Sequence, residues 1–333
     1  MADTPKTIAV LYPGEMGAAL AALLAARGLR VVTTLGCRGE PTARRCRSTG
    51  ITVLGSLREV VEAAEVVISL VPPSAAGDVA REYCELAHLA PARALYVDAN
   101  SIGPELSGEI AARFERSGVD FVDGAINGLA KNLATSCTFF LSGRRAGEVA
   151  QLIGDAVKVR LLGEIPGRAS AMKMLLSGLS KGVCALFAET ALIAHRHGML
   201  GEMIDSYARI YPGVMGIVER MMPTYPQHAQ RRADEMRELE QTAEAAGLEP
   251  CMLAAARHVH ELMAGLMAGA GFGTRDELAR DELTGDELKW TVPAVIERLA
   301  AEGMLSADVL AESAAAKVAA GTPTVAREKC HGQ

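Results

Sequence analysis

Short apolar runs recur through the first half of the chain, at Thr7–Leu11, Arg30–Leu35, Ile51–Leu54, Val66–Val71, Ala94–Asp98 and Phe121–Asp123. Helical spacing fills most of the gaps, at Glu15–Arg27, Leu57–Ala64, Ala75–Leu89 and Gly103–Ser117. This alternation constrains the fold more than any other feature. A short run that is apolar throughout belongs to a strand buried on both faces, and parallel strands need a crossover helix to bring the chain back. The first half is therefore expected to form a parallel sheet covered by helices on both sides. Two further strands, Ser136–Ser142 and Lys158–Leu162, flank a helix at Ala146–Gly154. After Gly163 the strand signals vanish and long helical stretches follow, at Arg168–His197, Met199–Ile210, Ala229–Ala246, Met252–Ala270 and Thr291–Glu302. The expected organisation is an α/β domain over 1–165, an all-α domain over 166–322 joined to it by a long interdomain helix, and a flexible tail over 323–333.

A chain of 333 residues is long enough for two such domains. The net charge of −6 argues against nucleic acid as the main partner and offers no basic tail to a membrane. No uninterrupted apolar run reaches the roughly 18 residues that span a bilayer. Met1 to Lys6 is polar and runs straight into the first strand, so no export signal is expected and a cytoplasmic location follows. Seven scattered cysteines, with no C-x-x-C, suit reduced thiols and lack zinc spacing. His195 and His197, like His258 and His260, are two apart in helical stretches and point to opposite sides, so no metal site is expected.

At the end of the first strand, Tyr12-Pro13-Gly14-Glu15-Met16-Gly17 opens an alanine- and leucine-rich helix. A helix begun this way aims unpaired backbone N–H groups at whatever lies over the turn, which suits the pyrophosphate of a dinucleotide. The flanking strand and helix are the context such a motif requires, so a Rossmann domain is expected, with residues Tyr12 to Gly17 at the cofactor. Gly14 would let the backbone approach the pyrophosphate, and Gly17 would let the helix pack close to the sheet. Tyr12 stands where a full G-x-G-x-x-G has its first glycine, so its backbone must stay at negative φ or be strained. Pro13 stiffens the turn. An NAD site usually ends its second strand on Asp or Glu, but this strand ends Thr33-Thr34-Leu35-Gly36-Cys37-Arg38, followed by Arg44, Arg45 and Arg47. An arginine there can grip a 2′-phosphate in a bidentate fork. NADP is favoured, with NAD as the alternative, and Thr34 and Arg38 are the first contacts expected. Some of the four arginines simply solvate the next helix. Val71 and Pro72, after the fourth strand, would wall the nicotinamide. Asn100 and Ser101, after the fifth, would contact ligand or cap a helix.

The helix from Arg168 carries Lys173, Ser177 and Lys181 at i, i+4 and i+8, on one face. A lysine facing a cleft with few acids should have a lowered pKa and can exchange a proton with a substrate oxygen while hydride moves at a nicotinamide.

Four segments in order resemble the β-hydroxyacid dehydrogenase and 6-phosphogluconate dehydrogenase superfamily: Gly14-Glu15-Met16-Gly17, Leu70-Val71-Pro72-Pro73, Phe121-Val122-Asp123-Gly124-Ala125-Ile126-Asn127-Gly128, and Gly167-Arg168-Ala169-Ser170-Ala171-Met172-Lys173. The stretch through Ser180-Lys181-Gly182, with Arg232-Ala233-Asp234-Glu235-Met236 and Gly247-Leu248-Glu249-Pro250, is similar to a branch with a phosphogluconate-dehydrogenase-like C-terminal domain. The resemblance implies a homodimer, Lys173 as catalytic acid/base, and Asn127, Gly128 and Ser177 in the substrate pocket. Asn127 and Ser177 stand where the hydroxyacid enzymes commonly have serine and asparagine. The expected activity is an NADP-preferring oxidoreductase acting on a small polar hydroxyacid or its keto form. Ser177 assists Lys173, while Asn127, Gly128, Ser101 and Lys181 bind substrate. The alternatives are an imine reductase, with Tyr207, Tyr211 or Tyr225 as proton donor, and a redox-inactive NADP-binding sensor or scaffold.

Overall fold

The computed structural model describes residues 6–36, 38–87, 94–269 and 290–304. The chain forms two compact units, Met1–Ser177 and Gly178–Gln333.

The first unit is built on eight strands: β1 (Thr7–Leu11), β2 (Arg30–Thr34), β3 (Thr52–Leu54), β4 (Val66–Ser69), β5 (Leu95–Asp98), β6 (Phe121–Asn127), β7 (Thr138–Ser142) and β8 (Lys158–Leu161). They lie in the order β3-β2-β1-β4-β5-β6-β7-β8. Alternation along β1 sends Ile8 and Val10 into one apolar layer and Ala9 and Leu11 into the other, so both faces of the sheet are covered. The first layer is closed by α1 (Glu15–Ala26) and α6 (Ala146–Ile153). The second is closed by α3 (Leu57–Ala63), α4 (Pro73–Ala87) and α5 (Pro104–Arg116).

The parallel sheet expected of the first six strands is present, from β3 through β6. The sheet is not wholly parallel: β7 runs antiparallel to β6, with Asp123 opposite Ser142. The connection between them holds only a short 3-10 turn at Ala130–Asn132, too little chain for a crossover helix. A further helix, α2 (Glu40–Thr49), follows β2; it buries only Cys46, so its sequence carries almost no apolar stripe. The expected fourth helix is described as far as Ala87, and Leu89 lies outside the described residues.

A long helix, α7 (Arg168–Arg196), begins in the first unit and ends in the second. Sequence placed the boundary near Glu164–Gly167, whereas the compact units divide inside α7, between Ser177 and Gly178. The reason is the anchoring of the helix start to β6, described below. By length and composition α7 is long and apolar enough to cross a membrane, and 44% of its most apolar window is buried inside the protein.

The second unit contains the rest of α7 with α8 (Leu200–Ile210), α9 (Pro212–Met221), α10 (Tyr225–Ala245), α11 (Cys251–Gly269) and α12 (Val292–Leu299). Its core joins Phe187, Leu192, Met215, Met222, Met236, Met263 and Ile296. The α9 helix was absent from the sequence reading; its Pro212 sits at the first helical turn, where a missing N–H costs nothing. The expected tail over 323–333 lies outside the described residues.

Candidate active site

The turn after β1 and the turn after β4 lie side by side, because β1 and β4 pair in parallel and the Leu70 N–H donates to Leu11 O at 2.6 Å. Here the strand order changes direction, the place where doubly wound sheets bind ligands. The α1 helix starts at Gly14 with no side chain capping its first N–H groups. A Cβ added at Gly14 would meet nothing within 4 Å, so its backbone faces open space. A Cβ at Gly17 would lie 3.3 Å from Val10 Cγ1, so the helix packs close to β1 and a side chain there would require Val10 to give slightly. Tyr12 keeps a negative φ, since no described non-glycine residue has a positive one. An open, uncapped helix start at the switch point fits a dinucleotide pyrophosphate.

The Arg38 guanidinium lies over the Tyr12 ring, 4.3 Å from its centroid. Arg38 is exposed, whereas Thr34 is buried, and the Thr33 hydroxyl donates to Val10 O at 2.7 Å. Arg47 pairs with Glu40 on α2 and so belongs to the helix surface.

Val71 is buried and Pro72 exposed. Asn100 is a buried clamp: its Oδ1 accepts the Val71 N–H at 2.6 Å, and its amide lies 3.2 Å from the Ser69 hydroxyl. Asn100 thereby holds the β4 turn against the end of β5. The capping role considered for Asn100 and Ser101 is not taken up, because α5 starts at Gly103 without a side-chain cap. Ser101 is half-buried. Asp98, the last residue of β5, accepts the Asn100 N–H at 3.0 Å through one oxygen, while its other oxygen has no hydrogen-bond partner among the described residues. Burial, with Asp123 across the strand pair, pushes the Asp98 carboxyl up to about 7.

Asp123 is the residue that sequence reading passed over. Fully buried on β6, its carboxylate accepts from the hydroxyls of Ser107 at 3.0 Å, Ser142 at 2.8 Å and Ser170 at 2.6 Å. It also accepts the backbone N–H groups of Ala169 at 2.8 Å and Ser170 at 3.2 Å. A buried acid side chain thus caps the start of α7 from a neighbouring strand, where the helix dipole favours negative charge. The available signal was an acid inside an otherwise apolar strand, which is buried only when satisfied. The consequence for the site is positional. Lys173 lies one turn beyond the capped residues, and Ser177 one turn further, both half-buried. The strand that carries Asp123 ends at Asn127, and Gly128 follows it. Gly128 has φ +133, and a Cβ there would stand 2.3 Å from Cys137 Sγ, so this corner accepts only glycine.

Lys181 falls in the second unit and is not open to a ligand as folded. It is 3% exposed, with its Nζ 2.7 Å from Glu235. Desolvation lowers its pKa and Glu235 opposes that shift. Nearby, Arg232 lies over the Tyr225 ring and donates to Thr224 Oγ1 at 2.6 Å. The Tyr225 hydroxyl is 3.1 Å from His260 Nδ1. Full burial removes Tyr225 from contact with solvent, leaving Tyr211, about half exposed, as the accessible member of the three tyrosines considered for imine chemistry, with Tyr207 packed between it and Phe187. Among the described residues no group of His, Cys, Asp and Glu is arranged to hold a metal.

Residues 7–152 match the NAD binding domain of 6-phosphogluconate dehydrogenase, and residues 194–263 match a domain of unknown function, DUF1932. The conserved protein MTH1747, of unknown function but with reported structural similarity to 3-hydroxyacid dehydrogenases, is 32% identical; the match covers 79% of this chain and 98% of that one, with a TM-score of 0.63. The 3-hydroxyisobutyrate dehydrogenase of Mycobacterium tuberculosis, solved with L-serine, is 21% identical over 89% of this chain and 99% of its own, with a TM-score of 0.67. An imine reductase variant from Myxococcus stipitatus, solved with NAD+, is 16% identical over 89% of this chain and 99% of its own, with a TM-score of 0.56. The last two likenesses concern the fold alone.

Proposed function

Because the chain belongs to the β-hydroxyacid dehydrogenase and 6-phosphogluconate dehydrogenase-like superfamily, and is an NAD(P)-dependent dehydrogenase or reductase, we propose that it prefers NADP and acts on a small hydroxyacid or the matching keto acid. The observation that carries the reading is the anchoring of α7 to β6 through Asp123, which holds Lys173 one turn from a fixed point on the sheet. When bound, the nicotinamide supplies or accepts the hydride. Gly14, Glu15, Met16 and Gly17 would cradle the dinucleotide's pyrophosphate, with Tyr12 and Pro13 shaping the turn. Val71 and Pro72 would wall the nicotinamide ring, with Asn100 fixing that wall, and Arg38 would take the 2′-phosphate. Lys173 takes the proton from the substrate hydroxyl on oxidation and returns it on reduction. Ser177, on the same helix face, and Ser101, Asn127 and Gly128 orient the substrate. A cytoplasmic homodimer fits the chain: Leu175, Leu179, Leu186 and Ile193 are exposed along one face of α7, spaced for a second copy.

The test compares wild type and Lys173→Ala across hydroxyacids, keto acids and cyclic imines, with NADPH binding measured in parallel. Turnover of a hydroxyacid pair that falls at least 100-fold in the variant, with cofactor affinity unchanged, is expected. Full activity in the variant refutes the role of Lys173. Reduction of imines but not keto acids would favour the imine reductase reading. Tight NADPH binding without turnover of any class would favour a sensor.

A further inference from the structure

The first glycine of the dinucleotide fingerprint is replaced by Tyr12, and its ring is occupied by Arg38. These residues come from different strand ends, after β1 and after β2, brought next to each other by the parallel pairing of those strands. Arg38 sits in a short loop between Gly36, at φ +52, and Gly39, and its N–H donates to Leu35 O at 2.9 Å. An exposed arginine on so short a loop would otherwise sample many rotamers, and ordering it opposes ligand binding. A guanidinium lying over an aromatic face is held through its π surface. Its N–H donors lie in the guanidinium plane and stay available for a bidentate phosphate contact. No carboxylate pairs with Arg38 among the described residues, in contrast to Arg47.

We infer that Tyr12 is a positioning residue for cofactor choice: its ring pre-orders Arg38 to receive the 2′-phosphate of NADP. This rests on the NADP reading above and adds a role for the residue that breaks the fingerprint. The loss of the first glycine is then an exchange in which the turn gives up conformational freedom and the second strand gains an ordered cation. Because Tyr12 acts through Arg38, its effect must be confined to the ligand that carries the 2′-phosphate.

The test measures dissociation constants of NADP+ and NAD+ by calorimetry for the full chain, with Tyr12→Phe, Tyr12→Leu, Arg38→Ala and the Tyr12→Leu/Arg38→Ala pair. Tyr12→Phe keeps the ring and leaves both affinities within two-fold. Tyr12→Leu keeps apolar bulk, removes the π face, and weakens NADP+ about two- to five-fold while sparing NAD+. In the Arg38→Ala background the same Tyr12→Leu change has no further effect. An equal loss for NADP+ and NAD+ in Tyr12→Leu, or a full additive loss in the pair, overturns the inference. The underlying NADP reading fails separately, if wild type binds NAD+ at least as tightly as NADP+ and Arg38→Ala changes neither.

Discussion

Replacing Asp123 with alanine removes the acceptor for three hydroxyls and two backbone N–H groups inside the first unit. The Ala169 N–H retains the Ser142 hydroxyl at 3.1 Å, so it is not stranded. The Ser170 N–H loses its carboxylate acceptor, and a buried unsatisfied donor costs about 1–3 kcal/mol. Losing the cap on α7 costs about 1 kcal/mol more. The hydroxyls of Ser107, Ser142 and Ser170 must find new acceptors in a buried setting, at roughly 1 kcal/mol each. These terms overlap, and a total of about 3–5 kcal/mol matches what is usual for breaking a buried charged network. Urea unfolding monitored for the first unit should show that loss. Amide exchange at Ala169 and Ser170 should accelerate on the order of 100-fold, because the start of α7 opens more often. Ser107→Ala, which removes a single donor, should cost only about 1 kcal/mol. Asp123→Asn keeps an acceptor oxygen but points an NH2 group at donors, so it should fall between the two. If Asp123→Ala costs less than about 1 kcal/mol, the carboxylate is not the anchor of α7. The positional account of Lys173 would then fail with it.

The two units should respond to pH in opposite directions. Burial lowers His260 to about 4, so the unfolded state binds the proton first: stability of the second unit is full above about pH 6.5 and falls, by up to about 3 kcal/mol, as pH drops toward 4. Burial raises Asp98 to about 7, so its contribution in the first unit is present near pH 4 and is lost as pH climbs through 7; Asp98→Asn should flatten that slope in urea titrations at several pH values. Gly14→Ala should leave unfolding unchanged and weaken NADPH binding, whereas Gly17→Ala should destabilise by about 1 kcal/mol because Val10 must yield, and equal effects on stability would contradict the assigned roles. Gly128→Ala places a methyl group on Cys137 Sγ at positive φ and should cost more than about 2 kcal/mol by thermal unfolding; near-wild-type stability would show that the corner can relax.

The sequence by itself determined the layers and most of the elements. Strands such as β1 and helices such as α1 were legible because burial on both faces or along one face leaves a local period in the chain. The dinucleotide loop was legible for a related reason, since strand, glycine turn and helix follow one another within a few residues, and Gly17 sits where a Cβ would crowd Val10. The α2 helix was not, because it buries little more than Cys46 and so carries no period. The reversal of β7 was hidden too, since strand direction depends on connection length and partner rather than on composition. What only the tertiary structure decided are the pairings between distant residues. Arg38 on Tyr12, Asn100 on Val71, Lys181 with Glu235, and Asp123 under α7 each join positions far apart in sequence. A side chain's type announces what it can donate or accept, but its partner is set by which strands and helices pack together. That is why Lys181, grouped by helical spacing with Lys173, turns out to be buried in an ion pair, and why Asp123, unremarked in its strand, turns out to hold the helix on which Lys173 sits.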